Sequence, residues 1–338
     1  MPSQPRTRSY TDLLPADFAA RRLREDVLAG LAGEPKELPP TWLYDKIGSE
    51  LFEEITRLPE YYPTRCEREI LLAHARDAVE TSGARALVEL GSGSSLKTHL
   101  LLDALTAATG RDGGRASYVA LDVSEDALGE AGDRLAERYP RLDLHAVRAD
   151  FTTQLGDALH DGRTGGQDAG RRLVAFLGGT IGNLEPAPRR AFLAGLRAAL
   201  VPGDHVLLGA DLVKSPEVLV PAYDDAAGVT AAFDLNVLEV LNRELGADFD
   251  LGDFEHRAVW DERNEWIEMR LRSRRAHRVR LAELAMDVEL RAGEEIRTEV
   301  SAKFRREGLT AELAAAGFAP VTWWTDGGGR FSLSLWGC

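Results

Sequence analysis

The chain has 338 residues, 44% hydrophobic and 28% charged, a composition of folded protein rather than disorder, and its length allows about two domains. Its net charge of −14 gives a field that repels nucleic-acid backbones and anionic lipid, so neither is an expected partner. Two cysteines, Cys66 and Cys338, cannot supply a disulfide framework, and no run approaches the roughly 18 apolar residues of a membrane span, which together with the absence of a signal-peptide stretch leads us to expect a cytoplasmic protein.

The N-terminal block carries Trp42, Tyr44, Phe52, Tyr61 and Tyr62, which on composition alone read as half-buried core. From about residue 85, short apolar runs alternate with helical stretches, the pattern of βαβ units and a parallel sheet. The spacing predicts strands at Ala86–Leu90, Tyr118–Val123, Leu142–Ala149, Leu173–Leu177 and His205–Ala210. It predicts helices at Thr98–Ala108, Glu125–Arg138 and Ala187–Leu200, with Pro202-Gly203 after the last. The glycine-rich stretches Gly110–Arg115 and Gly162–Gly170 read as surface loops.

After Val213 the alternation breaks. Residues 223–245 read as a helix closed by Gly246, Phe254–Phe304 as antiparallel strands, Thr310–Ala316 as a helix, and Val321–Trp324 with Phe331–Trp336 as two strands joined by the turn Asp326–Arg330. We therefore expect an α/β fold in two parts. Residues 65–213 with 303–338 form one domain, and residues 1–64 with 214–302 a second that packs over the carboxyl ends of the parallel strands, where open α/β sheets bind ligands.

The first strand of the parallel series runs into Glu89-Leu90-Gly91-Ser92-Gly93-Ser94-Ser95-Leu96-Lys97. Glycines there let backbone approach a ligand, but Leu96 stands where a dinucleotide fingerprint needs its third glycine, which argues against NAD. Asp122 closes the second strand, placed to accept from ribose hydroxyls or to cap the next helix, a task Ser124 also suits. Asp150-Phe151 closes the third, offering an acceptor and a ring face to an adenine. Together these strand ends suit an adenosine with little phosphate, as in S-adenosylmethionine.

The fourth strand ends in Gly178-Gly179-Thr180-Ile181-Gly182-Asn183, a bare turn beside that position, where Asn183 serves either a substrate carboxylate or the following helix as a cap. In Thr298–Phe304, Glu299 and Ser301 share one face and can grip both nitrogens of an imidazole. The same spacing reads as an exposed edge strand with Lys303 on that face, and spacing alone favours the edge. The basic run Arg270, Arg272, Arg274, Arg275, Arg278 and Arg280 reads as a solvated face, and the seven histidines lack metal-site spacing, so no metal is expected. Gly91-Ser92-Gly93 does not match a nucleophile elbow, and Cys66 reads as a packing residue.

Long ordered motifs identify a resemblance. Leu58–Arg65, Glu89–Gly93, Phe176–Leu184, Ala222–Phe233 and Thr298–Phe304 closely resemble the histidine-specific Nα-methyltransferases of ergothioneine biosynthesis, over nearly the full chain. The resemblance implies a class I, Rossmann-like methyltransferase domain with a second α+β substrate domain. It implies conversion of L-histidine and three S-adenosylmethionine to Nα,Nα,Nα-trimethylhistidine, called hercynine. It further implies that Gly91, Lys97, Asp122, Asp150 and Phe151 hold the cofactor. Tyr61, Asn183 and Tyr223 then take the substrate carboxylate, with Tyr44, Phe52 and Gly178 around the amine and Glu299 and Ser301 on the imidazole, which reverses the edge-strand reading. Gly179 stands where some relatives carry serine. Tyr44 is the expected residue near the amine's proton path, and the absence of a long heptad makes a monomer the expected state.

Overall fold

The computed structural model describes residues 8–93, 97–111, 113–160 and 170–338. Ser94, Ser95 and Leu96 of the glycine-rich turn, Asp112, and residues 161–169 of the second glycine-rich loop lie outside the described residues. The strands are β1 (Arg8–Asp12), β2 (Lys36–Glu37), β3 (Ala86–Leu90), β4 (Ser117–Asp122), β5 (Asp143–Arg148), β6 (Arg172–Phe176), β7 (His205–Asp211), β8 (Phe254–Asp261), β9 (Trp266–Ser273), β10 (His277–Leu281), β11 (Met286–Leu290), β12 (Glu295–Ala302), β13 (Ala319–Thr325) and β14 (Phe331–Gly337).

Eight of them form one sheet in the order β1-β5-β4-β3-β6-β7-β14-β13. β1 and β3 to β7 run parallel, while β14 is antiparallel to both β7 and β13. From β5 to β13 this is the strand order of the class I methyltransferase fold. The order reverses between β3 and β6, both neighbours of the first parallel strand, and crevices at such a switch point hold ligands.

β3 and β6 are buried along their whole length, as expected of parallel strands covered on both faces. Their side chains alternate between two cores: Leu87 and Leu173 face one that includes Ile70 and Leu71 of the helix Pro63–Ser82, and Val88 and Val174 face one that includes Phe192 and Leu196 of the helix Pro186–Ala199. Pro63 opens the first of these helices and Gly83, at φ +59°, closes it.

A second sheet, β2-β12-β9-β8, and the ribbon β10-β11 come from the region after residue 250, joined by β2 from the N-terminal block. Strand β1 departs from the expected grouping of residues 1–64 with this part. It pairs with β5 in the large sheet, tied there by Ser9 to His145 at 2.7 Å and by Arg148 to Asp12 at 3.0 Å. The expected helix over residues 223–245 begins only at Val229, because Asp225 accepts from the N–H groups of Val229 and Thr230 and Gly228 turns at φ +76°. Tyr223 is thereby left in the turn before it. Arg270, Arg272, Arg274, Arg275 and Arg278 of the basic run lie against acids, among them Arg270 with Glu295 and Arg275 with Asp253, both at 2.6 Å. No helix among the described residues is long and apolar enough to cross a membrane.

Candidate active site

Beyond β3 the chain turns through Gly91 at φ +69°, a conformation natural only to glycine, and a Cβ there would lie 3.7 Å from the Phe151 ring. The N–H of Gly93 donates to Asp122 Oδ2 at 2.9 Å and that of Ser124 to Oδ1 at 3.0 Å, so the carboxylate at the end of β4 is held at both oxygens with lone pairs to spare. Ser124, not Asp122, caps the following helix, accepting from Ala127 N–H at 3.2 Å. Burial raises the Asp122 pKa, against the backbone hydrogen bonds. Asp150 is oriented by Thr152, which donates to its Oδ1 from N–H at 2.8 Å and from Oγ1 at 2.6 Å, and Phe151 stands edge-on to Phe176 at 5.5 Å.

Glu89 is buried and accepts from Thr98 Oγ1 at 2.8 and 2.7 Å and from the Tyr118 hydroxyl at 2.5 Å, tying the start of the glycine-rich turn to the residue that follows Lys97. Burial pushes its carboxyl up to about 7 despite those donors. Bare backbone, an aromatic ring beside it, two fixed carboxylates and the Lys97 ammonium fit an adenosine that carries an anionic tail.

Lys97 donates to Oε2 of Glu67, and Glu67 Oε1 accepts from the N–H of Gly178 at 2.7 Å. Glu67 lies in the helix Pro63–Ser82 and is wholly buried. It joins the glycine-rich turn to the turn after β6, where Gly178 adopts φ +77° and a Cβ would approach Lys97 Nζ to 3.9 Å.

The second sheet meets this turn edge to edge. A Cβ on Gly182 would lie 2.8 Å from the Ala302 carbonyl oxygen, so only glycine lets the turn Thr180–Asn183 lie against β12. That approach brings Asn183 Nδ2 within 3.3 Å of Glu299 Oε1. Asn183 is not the helix cap, a position taken by Glu185. Glu299 and Ser301 are buried on β12, and burial pushes the Glu299 carboxyl up to about 7, with Lys303 opposing the rise. The edge-strand reading of this segment is thus corrected. β12 is covered by the turn on one side and by β9 on the other, and the Lys303 side chain is fully buried. Lys303 donates to the Tyr223 hydroxyl at 2.7 Å and to Ser301 Oγ at 2.8 Å, and the two hydroxyls lie 2.8 Å apart.

An aromatic wall completes the space. Tyr44 meets Phe52 at 5.4 Å and Phe233 at 5.3 Å, Phe52 meets Tyr61 at 6.0 Å, and Tyr61 meets Tyr223 at 6.2 Å between ring centroids. Tyr44 keeps 38% of its surface exposed, yet protein bulk, then the charge of Glu299, pushes its hydroxyl pKa well above 10.

The expected residues thus fall into two adjoining groups: Gly91, Lys97, Asp122, Asp150 and Phe151 at the ends of β3 to β5, and Tyr44, Phe52, Tyr61, Asn183, Tyr223, Glu299 and Ser301 around the seam between the sheets, with Gly178 and Glu67 between them. Sequence reasoning missed Glu67, Phe233 and the pair formed by Asp234 and His256, whose Oδ2 and Nδ1 lie 2.7 Å apart, and it read Lys303 only as an exposed edge charge. Glu67 carried a legible signal, an acid on the stripe Pro63, Cys66, Ile70, Leu71 that the helix buries. No group of three or more acidic, histidine or cysteine side chains disposed to hold a metal is present among the described residues.

Residues 23–338 match the model of a family described as histidine-specific methyltransferase, SAM-dependent. The chain is 53% identical to histidine N-alpha-methyltransferase of Mycolicibacterium smegmatis, over 97% of this chain and 99% of that protein. It is 48% identical to histidine N-alpha-methyltransferase of Mycobacterium tuberculosis, over 97% and 98% respectively. With ergothioneine biosynthesis protein 1 of Neurospora crassa the identity is 31%, over 87% of this chain and 32% of that longer protein.

Proposed function

The chain belongs to the S-adenosylmethionine-dependent, histidine-specific methyltransferases, and from that membership we propose that it places three methyl groups on the α-amino nitrogen of L-histidine to give hercynine, the first step of ergothioneine biosynthesis. The observation that carries this reading is the buried Glu299 beside Ser301, facing Asn183 and Tyr223 across a seam walled by aromatic rings. A carboxylate and a hydroxyl two residues apart on a strand match the two nitrogens of an imidazole. An indole offers only one N–H, which disfavours a tryptophan-type substrate.

In this proposal Gly91 admits the cofactor to the backbone, Asp122 accepts from the ribose, Asp150 and Phe151 take the adenine, and Lys97 faces the anionic tail. When bound, S-adenosylmethionine supplies a methyl group already activated by its sulfonium, so the protein needs no covalent nucleophile. Alignment is the protein's main contribution. Tyr61, Asn183 and Tyr223 orient the substrate carboxylate. Gly178, Tyr44 and Phe52 surround the amine, where the missing side chain at Gly178 leaves room for a nitrogen that gains bulk with each transfer. The reacting amine must be neutral, and each transfer releases a proton. Tyr44 holds its own proton at neutral pH because its pKa is raised. Its part is that of a hydrogen-bonding relay, direct or through water, not of a phenolate base.

Mass spectrometry of the purified protein with S-adenosylmethionine and each common amino acid tests the whole reading. Histidine should gain three methyl groups while the others stay nearly unmodified. Methylation of tryptophan instead would remove the imidazole assignment, and a product that stops at one methyl would remove the trimethylation.

A further inference from the structure

Behind Tyr223 and Ser301 lies a buried set of charges to which no role has been given. A lysine ammonium has three donors and no acceptor, and those of Lys303 are all engaged: the Tyr223 hydroxyl at 2.7 Å, Ser301 Oγ at 2.8 Å and Asp211 Oδ2 at 3.1 Å. Asp211, at the end of β7, is also bound by Lys214 Nζ at 2.6 Å and by the Tyr62 hydroxyl at 2.6 Å. Two ammonium groups thus share one carboxylate, and burial is nearly complete for Lys303 and Asp211. Burial together with the charge of Lys303 brings Lys214 down to about 8, although Asp211 opposes the shift. Burial lowers the Lys303 pKa against the opposing charges of Asp211 and Glu299, so a further anion against its partners would favour the charged ammonium.

The hydrogen bonds say where that anion sits. Both hydroxyl oxygens already accept from Lys303, and the two hydroxyls share a single bond between them at 2.8 Å. Two hydroxyl hydrogens serve one internal bond, so one is left for an outside acceptor, and no further acceptor for it is present among the described residues. A carboxylate accepts and never donates.

We propose that Lys303, backed by Lys214 across Asp211, is a positioning residue that turns the Tyr223 hydroxyl toward the α-carboxylate of the amino-acid substrate and supplies its counter-charge, so that the site selects an amino acid over the amine lacking that carboxylate. The inference rests on the reading of Tyr223 as a carboxylate contact given above. Loss of Lys303 leaves Asp211 still bound to Lys214 and Tyr62, so no buried carboxylate is orphaned.

The test compares histidine with histamine, its decarboxylated form, by methylation rate and by competitive inhibition, in the wild type and in Lys303→Met. Sites built around a polar contact reject analogues that lack it by large factors. The wild type should therefore favour histidine at least about tenfold in kcat/KM. In Lys303→Met, the histidine KM should rise about tenfold or more, with histamine and S-adenosylhomocysteine affinities changed less than about twofold. An equal loss for histidine and histamine, or an unchanged histidine KM, overturns the proposal. Equal use of both by the wild type also overturns it while leaving the methyltransferase reading intact, whereas a wild type that methylates neither removes that reading itself. Lys303→Gln, which keeps donors but not charge, carries the same comparison if the methionine variant does not fold.

Discussion

Gly178 donates its N–H to Glu67 at 2.7 Å, and the other oxygen of that carboxylate holds Lys97. One buried side chain therefore sets the spacing between the turn proposed for the amine and the lysine proposed for the cofactor. Glu67→Ala removes the acceptor of a buried N–H and the counter-charge of Lys97, and should lower stability by about 1–3 kcal/mol in urea denaturation. Glu67→Gln retains an acceptor for Gly178 but loses the ion pair. It should stay nearer wild-type stability while weakening S-adenosylhomocysteine binding, measured by calorimetry. Equal stability loss in both variants would show that the charge, not the acceptor, carries the effect.

Gly182 lies where a Cβ would meet the backbone of Ala302, 2.8 Å from its oxygen and 3.2 Å from its nitrogen. Backbone cannot rotate aside as a side chain can, so Gly182→Ala must push the turn Thr180–Asn183 off β12. The expected cost is about 1–3 kcal/mol of stability. Misplacement of reacting groups by about 1 Å can cost about 10²-fold in rate, so activity on histidine should fall by more than the stability change explains. Wild-type turnover in the folded variant would show that the seam tolerates displacement.

Glu299 titrates at about 7 in the folded protein against an ordinary value of 4.5. Between those values the native state keeps a proton that the unfolded chain has released, so this residue's contribution lowers stability as pH rises through that window. Glu299→Gln should therefore stabilise the ligand-free protein on the order of 1–3 kcal/mol at pH 8, and by less at pH 5. The same variant should bind histidine more weakly. Urea denaturation at the two pH values decides the first claim, and a pH-independent difference would contradict it.

His256 lies between Asp234, 2.7 Å from Nδ1, and the Tyr223 carbonyl, 2.7 Å from Nε2. Both partners accept, so both ring nitrogens carry protons. Burial pulls the ring's pKa down, but the hydrogen bond and charge of Asp234 outweigh it and leave the value above 6.5. The stabilisation is therefore complete below about 6.5 and is lost as pH rises through the raised folded value. The stability gap between wild type and His256→Gln should be widest near pH 6 and narrower at pH 9; a gap of constant size would refute the linkage.

Strands β3 to β7 were legible from local pattern because each is a short apolar run closed by glycine or aspartate, whereas the polar β1 carried no such signal; the helix Glu125–Arg138 has its predicted limits because Ser124 caps it through its own side chain. Such signals are set within a few residues and need no distant partner. The start of the helix at Val229 was not legible, since periodicity continues back through Tyr223 while Asp225 and Gly228 interrupt the backbone.

The residue types at the strand ends and on β12 were determined by the sequence, and with them the chemistry available. Only the tertiary structure decided that Lys303 is a buried donor rather than an exposed edge charge, because burial of β12 depends on how closely Gly182 lets the turn after β6 approach it. The same holds for Glu67, which meets Lys97 and Gly178 at separations of 30 and 111 residues. Contacts across such distances depend on the packing of whole sheets and helices, which no local spacing records.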